Sequence, residues 1–278
     1  MPFTTQRPTL AGRAKHFAGL AAAALLASPV AAQAPADAVF KDFQPSGEFE
    51  IKLDGQVLES AELFHAERAA SYLILAPELS SPLLINARTR TVEQVSFMKV
   101  AKRPAGTIDL LADAGFQTVG PFTIGSQHLS FNFKGQKIDL VQKPPLTGIH
   151  PPSKLISHNP AYGFKAKQYE PNAGHLSTLK AVKKDVTVRV YFGNWCPVCS
   201  RLVPKVIKVE EALAGASKVT FEYYGLPRTP SDDPVAVENK VSGVPTAIIT
   251  IDGKEKGRLN GRDLYSPEAS LGKLLAGS

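Results

Sequence analysis

Cysteine is nearly absent from the sequence, and the two residues that occur, Cys196 and Cys199, form a single CxxC pair. A structural zinc site takes about four ligands, of which one CxxC supplies two. The histidines show no paired ligand spacing and lie far from the cysteines in sequence: His16, His65, His128, His150, His158 and His175. A CxxC disulfide closes a very short loop and would add little stability. Zinc and a purely structural disulfide are therefore both disfavoured, and a redox dithiol is the third interpretation.

A long basic tract is also missing, although the formal net charge is +7. The basic residues are scattered, with only short pairs such as Lys183-Lys184, and no aromatic residues are interleaved with them. Surfaces that bind nucleic acid usually cluster Lys and Arg. We therefore expect no nucleic-acid partner. The hydrophobic content of 44% and the charged content of 21% fit a globular protein and exclude a disordered one.

Acidic residues are missing from the N-terminal stretch, where Arg13 and Lys15 precede an unbroken apolar run at residues 17–27. Basic residues, a short apolar run and then small residues are typical of a secretory signal peptide. The run is too short to span a bilayer comfortably, and its continuity argues against the amphipathic helix of a transit peptide. We therefore predict a signal peptide at residues 1–32, cleaved after Ala32, and a periplasmic or secreted protein. No cysteine lies near the cut, which excludes a bacterial lipid anchor there.

Residues 35–142 contain no ligand cluster, no glycine-rich phosphate loop and no Ser/His/Asp pattern. Alternating apolar and polar residues, with turn signals such as Asp54-Gly55, predict a β-rich domain. One short helix is expected at residues 107–114, ended by Gly115. The region does not reveal its own function. A homodimer interface or a partner-docking surface is a hypothesis that rests only on its position beside the cysteine pair.

Residues 143–169 are rich in proline, glycine and polar residues. The prolines of this segment are Pro144, Pro145, Pro151, Pro152 and Pro160. Because proline interrupts helices and central strands, the composition predicts a semi-extended linker that joins the β-rich domain to residues 170–278. His150 and His158 lie in this linker, and we expect both to be exposed to solvent.

The CxxC pair lies where a strand-like run, residues 186–192, gives way to a helix-like run, residues 197–213. Unpaired backbone N–H groups and the positive end of the helix dipole would favour a thiolate on Cys196. Cys199 is one helical turn further on, close enough to attack a mixed disulfide. Pro197 fits the first position of a helix, where its missing N–H is not needed. This arrangement predicts a redox-active Cys196–Cys199 disulfide that works without a bound cofactor.

The predicted element order of residues 170–278 is α-β-α-β-α-β-β-α, and with WCxxC after the first strand it resembles the thioredoxin fold. Thioredoxins carry a proline five residues after the second cysteine, and Pro204 has that spacing. They carry a cis-proline loop before the third strand, and residues 243–246 (Gly-Val-Pro-Thr) resemble that loop. They also carry a glycine after the hairpin, and Gly261 lies at the matching spacing. The expected fold class is therefore a two-domain α+β protein, with a β-rich N-terminal domain followed by a C-terminal thioredoxin-like α/β domain.

The resemblance implies thiol–disulfide exchange on protein substrates, with a membrane or soluble redox partner that resets the dithiol. The implied site residues are Cys196 and Cys199 as catalytic, Trp195, Val244 and Pro245 as substrate-binding, and Pro197 and Val198 as redox-tuning. No metal is expected in this site. The short stretch between Cys199 and Val244 leaves no room for the helical insertion of the main periplasmic oxidases and isomerases, which favours slightly a reductase or isomerase-like role.

One departure from the family concerns proton transfer. Thioredoxins have a buried aspartate six residues before the first cysteine, and Val190 occupies that position here. Glu222 on the next strand, or a water molecule, could take its place. Two further functions stay open at this point, namely a non-enzymatic chaperone that binds a soft metal through Cys196 and Cys199, and an adaptor whose N-terminal domain binds client proteins.

Overall fold

The computed structural model describes residues 38–111 and 113–276. The predicted signal peptide, residues 1–32, lies outside these residues. None of the helices in the described part of the chain has the length and hydrophobicity needed to cross a bilayer.

Two antiparallel sheets make up the N-terminal region. Their strands are β1 (Ala38–Ser46), β2 (Phe49–Leu53), β3 (Gln56–Val57), β4 (Glu62–Ala66), β5 (Ser71–Leu75), β6 (Leu83–Asn86), β7 (Thr91–Gln94), β8 (Val100–Lys102), β9 (Ile108–Leu111), β10 (Gln117–Pro121), β11 (Thr123–Ile124), β12 (His128–Phe133) and β13 (Gln136–Gln142). The larger sheet has the spatial order β10-β7-β6-β5-β4-β1-β9-β8, and the smaller has the order β11-β12-β13-β2-β3. The predicted β-rich domain is confirmed.

Both faces of the larger sheet are covered at its centre, which explains why β5 and β6 are buried along most of their length. Ile74 on β5 packs toward the smaller sheet, in one cluster with Phe131. Its neighbour Leu73 belongs to a second cluster, together with Phe43 and Leu110. Because successive side chains on a strand point to opposite faces, the two clusters lie on opposite sides of the sheet.

The predicted helix at residues 107–114 is wrong, because this segment contains β9, which pairs with β1 and β8. Ile108 and Leu110 of β9 are buried in the core. Between them, Asp109 accepts hydrogen bonds from the Arg103 guanidinium at 2.6 and 2.9 Å, and from the backbone N–H of Asp42 at 2.8 Å. Strand pairing and this charged pair, both contributed by residues outside the segment, override its local helical pattern.

The predicted semi-extended linker at residues 143–169 is also wrong. This segment forms β14 (Gly148–His150) and two helices, α1 (Pro152–His158) and α2 (Pro160–Gln168). Both helices begin with proline, which fits the first turn because its N–H is not required there. The Asn159 side chain caps α2 by accepting a hydrogen bond from the N–H of Ala161 at 3.0 Å. Proline starts these helices rather than preventing them.

The remaining elements follow the predicted order α-β-α-β-α-β-β-α. They are α3 (Ala173–Lys180), β15 (Val186–Phe192), α4 (Pro197–Leu213), β16 (Val219–Gly225), α5 (Pro234–Glu238), β17 (Thr246–Ile251), β18 (Lys254–Leu259) and α6 (Pro267–Leu275). The sheet has the order β14-β16-β15-β17-β18, with β15 parallel to β16 and antiparallel to β17. Strand β14 therefore extends the C-terminal sheet from within the segment expected to be a linker.

Hydrogen bonds of Asn194, in the loop after β15, connect the segment around β14 and α1 to the C-terminal sheet. Its Oδ1 accepts from the backbone N–H of Leu146 at 2.8 Å, and its Nδ2 donates to the carbonyl of Pro144 at 3.1 Å. Nδ2 also lies 3.0 Å from Nε2 of His158. Burial and nearby lysines lower the pKa of His158 to about 4, so that its neutral ring accepts this hydrogen bond at neutral pH. His150 and His158 are both partly buried, not exposed as expected.

Because the pKa of His158 is lowered, we expect the free energy of unfolding to decrease in acid. The unfolded chain binds a proton on this residue near pH 6.5 that the folded chain excludes down to about pH 4, so stability is lost as pH falls through this window. His158→Gln keeps an acceptor for Asn194 but does not titrate. Between pH 7.5 and 4.5, urea unfolding should show the wild type losing about 2 kcal/mol more than the variant. Parallel losses in both proteins would contradict this.

Candidate active site

Cys196 is the N-cap residue of α4, and Pro197 is the first residue of the helix. The Sγ atom of Cys196 accepts a hydrogen bond from the backbone N–H of Cys199 at 3.4 Å. Cys196 is 8% exposed, Cys199 is fully buried, and both are free thiols. The strand-to-helix placement predicted for the pair is therefore observed, and only the first sulfur is accessible from outside.

The surroundings of Cys196 favour its thiolate. The hydrogen bond from the Cys199 side chain has the largest effect, and the N–H groups of Cys199 and Val198 and the charge of Arg201 act in the same direction. Burial opposes them, and together they lower the pKa of Cys196 to about 6. Cys196 is therefore mostly a thiolate at neutral pH, which is the nucleophilic form.

Cys199 has the opposite environment. Burial raises the pKa of its thiol far above the usual range, and the hydrogen bond with Cys196 adds to this effect. Cys199 packs in the core with Leu202 and Val203 of α4 and with Val190 of β15. The two cysteines are therefore unequal: one is a thiolate near the surface, and the other is a protonated thiol in the core.

The loop that ends at β17 lies against Cys196. The Val244–Pro245 peptide bond is cis, as the resemblance to thioredoxins implied. The Cys196 thiol contacts the Val244 carbonyl oxygen at an S···O distance of 3.6 Å. Gly261 lies near the turn between the cysteines, where an added Cβ would stand 3.9 Å from the Val198 side chain. Residues that are distant in sequence thus meet at the cysteines.

Trp195 is held beside the pair by contacts that the sequence did not reveal. Its Nε1 donates to the carbonyl of Leu226 at 3.0 Å, and the Arg228 guanidinium lies over the indole ring, 5.9 Å from its centroid. A Cβ on Gly193 would stand 2.5 Å from the ring, so this position accepts only glycine without a shift of the indole. Arg201 places positive charge near Cys196, and Arg228 places it over the neighbouring indole ring.

Glu222 does not replace the missing aspartate. Its carboxylate pairs with Arg189 Nε at 2.7 Å. Tyr223, its neighbour on β16, is paired with Val190 on β15, and both are buried in the cluster that contains the cysteines. Because strand side chains alternate between faces, Glu222 lies on the opposite side of the sheet from Cys199.

The structure adds Tyr162 to this site. It comes from α2, which packs against α4, and it is 1% exposed in the same core cluster as Cys196 and Cys199. The sequence does not mark Tyr162 as a site residue, because the composition of residues 143–169 predicts a linker, although Asn159-Pro160 is a recognisable helix start. Among residues 38–111 and 113–276, no group of three or more His, Cys, Asp or Glu side chains comes together as a metal site would require.

Comparison with known proteins agrees with this geometry. Residues 170–273 match the family model described as Thioredoxin, and no curated protein matches the chain. Structures with some likeness include a mutant thioredoxin from Halobacterium salinarum NRC-1, with 21% identity, a TM-score of 0.25 and coverage of 38% of this chain and 85% of that one. Another is mitochondrial thioredoxin 3 from Saccharomyces cerevisiae, with 18% identity, a TM-score of 0.26 and coverage of 41% and 99%.

The family model identifies residues 170–273. The strand order of the C-terminal sheet and the position of the CxxC pair are consistent with it. Residues 170–273 are therefore a thioredoxin domain, preceded in the chain by a separate β-rich region.

Proposed function

We propose that this protein is an exported thiol–disulfide oxidoreductase that exchanges disulfides with protein substrates through Cys196 and Cys199. The observation that carries the proposal is the inequality of the two sulfurs. Cys196, with a pKa lowered to about 6, lies beside the Val244–Pro245 loop, and Cys199 is protonated and buried behind it. A purely structural pair would have no need of such a difference. A thioredoxin domain supports this general activity.

The exchange begins at Cys196. Its thiolate attacks one sulfur of a partner disulfide, so that a mixed disulfide forms and the other partner sulfur leaves with the electron pair. Cys199 then attacks Cys196 Sγ, the Cys196–Cys199 bond forms, and the second partner sulfur leaves as a thiolate that takes up the proton lost by Cys199. The partner is reduced by two electrons, the protein is oxidised by two, and no bound cofactor is needed.

Substrate contact is proposed for Trp195, Val244 and Pro245, which surround the accessible sulfur. Pro197 and Val198 occupy the turn between the cysteines, where they would influence the reduction potential of the Cys196–Cys199 pair. The N-terminal stretch supports export to the periplasm or to the outside, where protein thiols and disulfides are the substrates and a membrane or soluble partner resets the pair. A homodimer through the β-rich region is part of this proposal.

For the direction of disulfide exchange, we propose a reductase or isomerase role. The segment between Cys199 and the cis-proline loop holds the rest of α4, β16, a short turn of helix (Pro230–Asp232) and α5, and it carries no inserted helical domain. The lowered pKa of Cys196 acts the other way, because a stabilised thiolate favours the reduced protein and raises its reduction potential. Equilibration with glutathione buffers measures the potential. A value of about −120 mV, typical of a strongly oxidising dithiol, would contradict a reductase.

Trapping tests the exchange itself. Cys199→Ser removes the resolving thiol, so mixed disulfides with partner proteins should accumulate and appear as reducible bands on a non-reducing gel. The matched control, Cys196→Ser/Cys199→Ser, should trap nothing. Absence of trapped partners, together with a stoichiometric soft metal on the wild-type protein, would support the metal-chaperone alternative and contradict the proposal.

The thiolate of Cys196 can be titrated by its reactivity. In the reduced protein, the rate of alkylation by iodoacetamide should rise with pH around a midpoint near 6, because only the thiolate reacts. Cys199 should stay unmodified, and Cys196→Ser should abolish the fast phase. A midpoint near 8.5, the value of an unperturbed cysteine, would show that the helix start does not activate Cys196.

A further inference from the structure

The Tyr162 hydroxyl is a buried polar group with no hydrogen-bond partner in the described part of the chain. Tyr162 is 1% exposed, so bulk water does not satisfy it. Leaving such a group unpaired costs free energy, and natural proteins rarely do so without a reason such as a role in catalysis or redox chemistry. The position of this hydroxyl in the fold suggests the reason.

Tyr162 lies in the core behind the cysteine pair. Helix α2 carries it and packs against α4, which carries Cys199. Tyr162, Cys196, Cys199 and Val190 belong to one buried cluster. Burial, and then the negative charge of either thiolate, raise the pKa of Tyr162 well above its usual value. The side chain therefore stays a neutral O–H donor rather than a base.

The other polar groups near this cluster are already engaged or point elsewhere. The Tyr223 hydroxyl, in the same cluster, donates to Glu210 at 2.8 Å. Glu222 is paired with Arg189 on the opposite face of the sheet. Val190, at the position of the thioredoxin aspartate, has no polar atom. Tyr162 thus supplies a free donor in a cluster whose other described hydroxyl is occupied.

We propose that the Tyr162 hydroxyl donates a hydrogen bond to the sulfur of Cys199 as that sulfur becomes a thiolate during resolution of the mixed disulfide. The proposal deepens the exchange function proposed above and rests on it. In this role the tyrosine does not remove the proton. It stabilises the charge that remains on Cys199 after the proton leaves.

The step balances without another reagent. The Cys199 S–H bond breaks and its proton passes to water, a bond forms between the sulfurs of Cys199 and Cys196, and the bond between Cys196 and the partner sulfur breaks. The electron pair of that last bond leaves with the partner sulfur, which takes up one proton. A hydrogen bond from Tyr162 to Cys199 would lower the free energy of the charged state before the attack, the state that burial makes costly.

The test separates the two steps of exchange in the full chain. The reduced protein is mixed with an aromatic disulfide that releases a coloured thiolate at each step. Attack by Cys196 gives the first release, and attack by Cys199 gives the second. Tyr162→Phe should slow the second release about tenfold, which corresponds to about 1.4 kcal/mol of lost stabilisation, and leave the first within twofold. The pH at which the second step accelerates should move upward.

Tyr191→Phe is the matched control. Tyr191 is also fully buried with an unpartnered hydroxyl, but it packs in a different cluster, with Leu226 and Ala236. It should leave both releases within twofold of the wild type, and circular dichroism should show both variants folded. An unchanged second release in Tyr162→Phe, or equal slowing in the two variants, would overturn the role of Tyr162. If the wild type shows no second release, the exchange function itself fails.

Discussion

The hydrogen bond from the N–H of Cys199 to the sulfur of Cys196 is the interaction on which the site depends. It exists because α4 begins directly after Cys196, so the free N–H groups of its first turn meet a sulfur instead of water. The parallel pair β15 and β16 fixes where the helix starts, and the cis-proline loop before β17 brings Val244 to the same sulfur. This placement sets Cys196 where the Cys199 side chain, and then the N–H groups of the first turn, lower its pKa, and it sets Cys199 in the core, where burial raises its pKa.

Local sequence rules predicted the part of the site that is formed by residues close together in the chain. Proline at the first position of α4 and the alternation of buried residues in β15 were readable, and so was the cis-proline segment through its resemblance to thioredoxins. The rules failed where two of them compete. In residues 143–169, the rule that proline prevents helices predicts a linker, whereas Pro152 and Pro160 begin helices. In residues 107–114, pairing with β1 and β8 outweighed a short helical pattern.

Contacts between distant residues could not be read from the sequence. The Asn194 side chain hydrogen-bonds to backbone groups about fifty residues earlier in the chain. The Arg228 guanidinium, in the loop after β16, lies over the indole ring of Trp195. Tyr162 enters the site from outside the part that resembles thioredoxin. Helix α2 contacts both β1 of the β-rich region and α4. The β-rich region therefore touches the helix that supplies a side chain to the dithiol core.

Strand β14 also bears on how the molecule can be divided. The family match begins at residue 170, yet β14 already occupies one edge of the C-terminal sheet by pairing with β16. A fragment that starts at residue 170 would leave the outer edge of β16 without a neighbour and uncover the side of α4 that α2 packs against. Bare strand edges recruit other chains. Such a truncated piece would be prone to self-association, and the autonomous folding unit is longer than the homology alone would suggest.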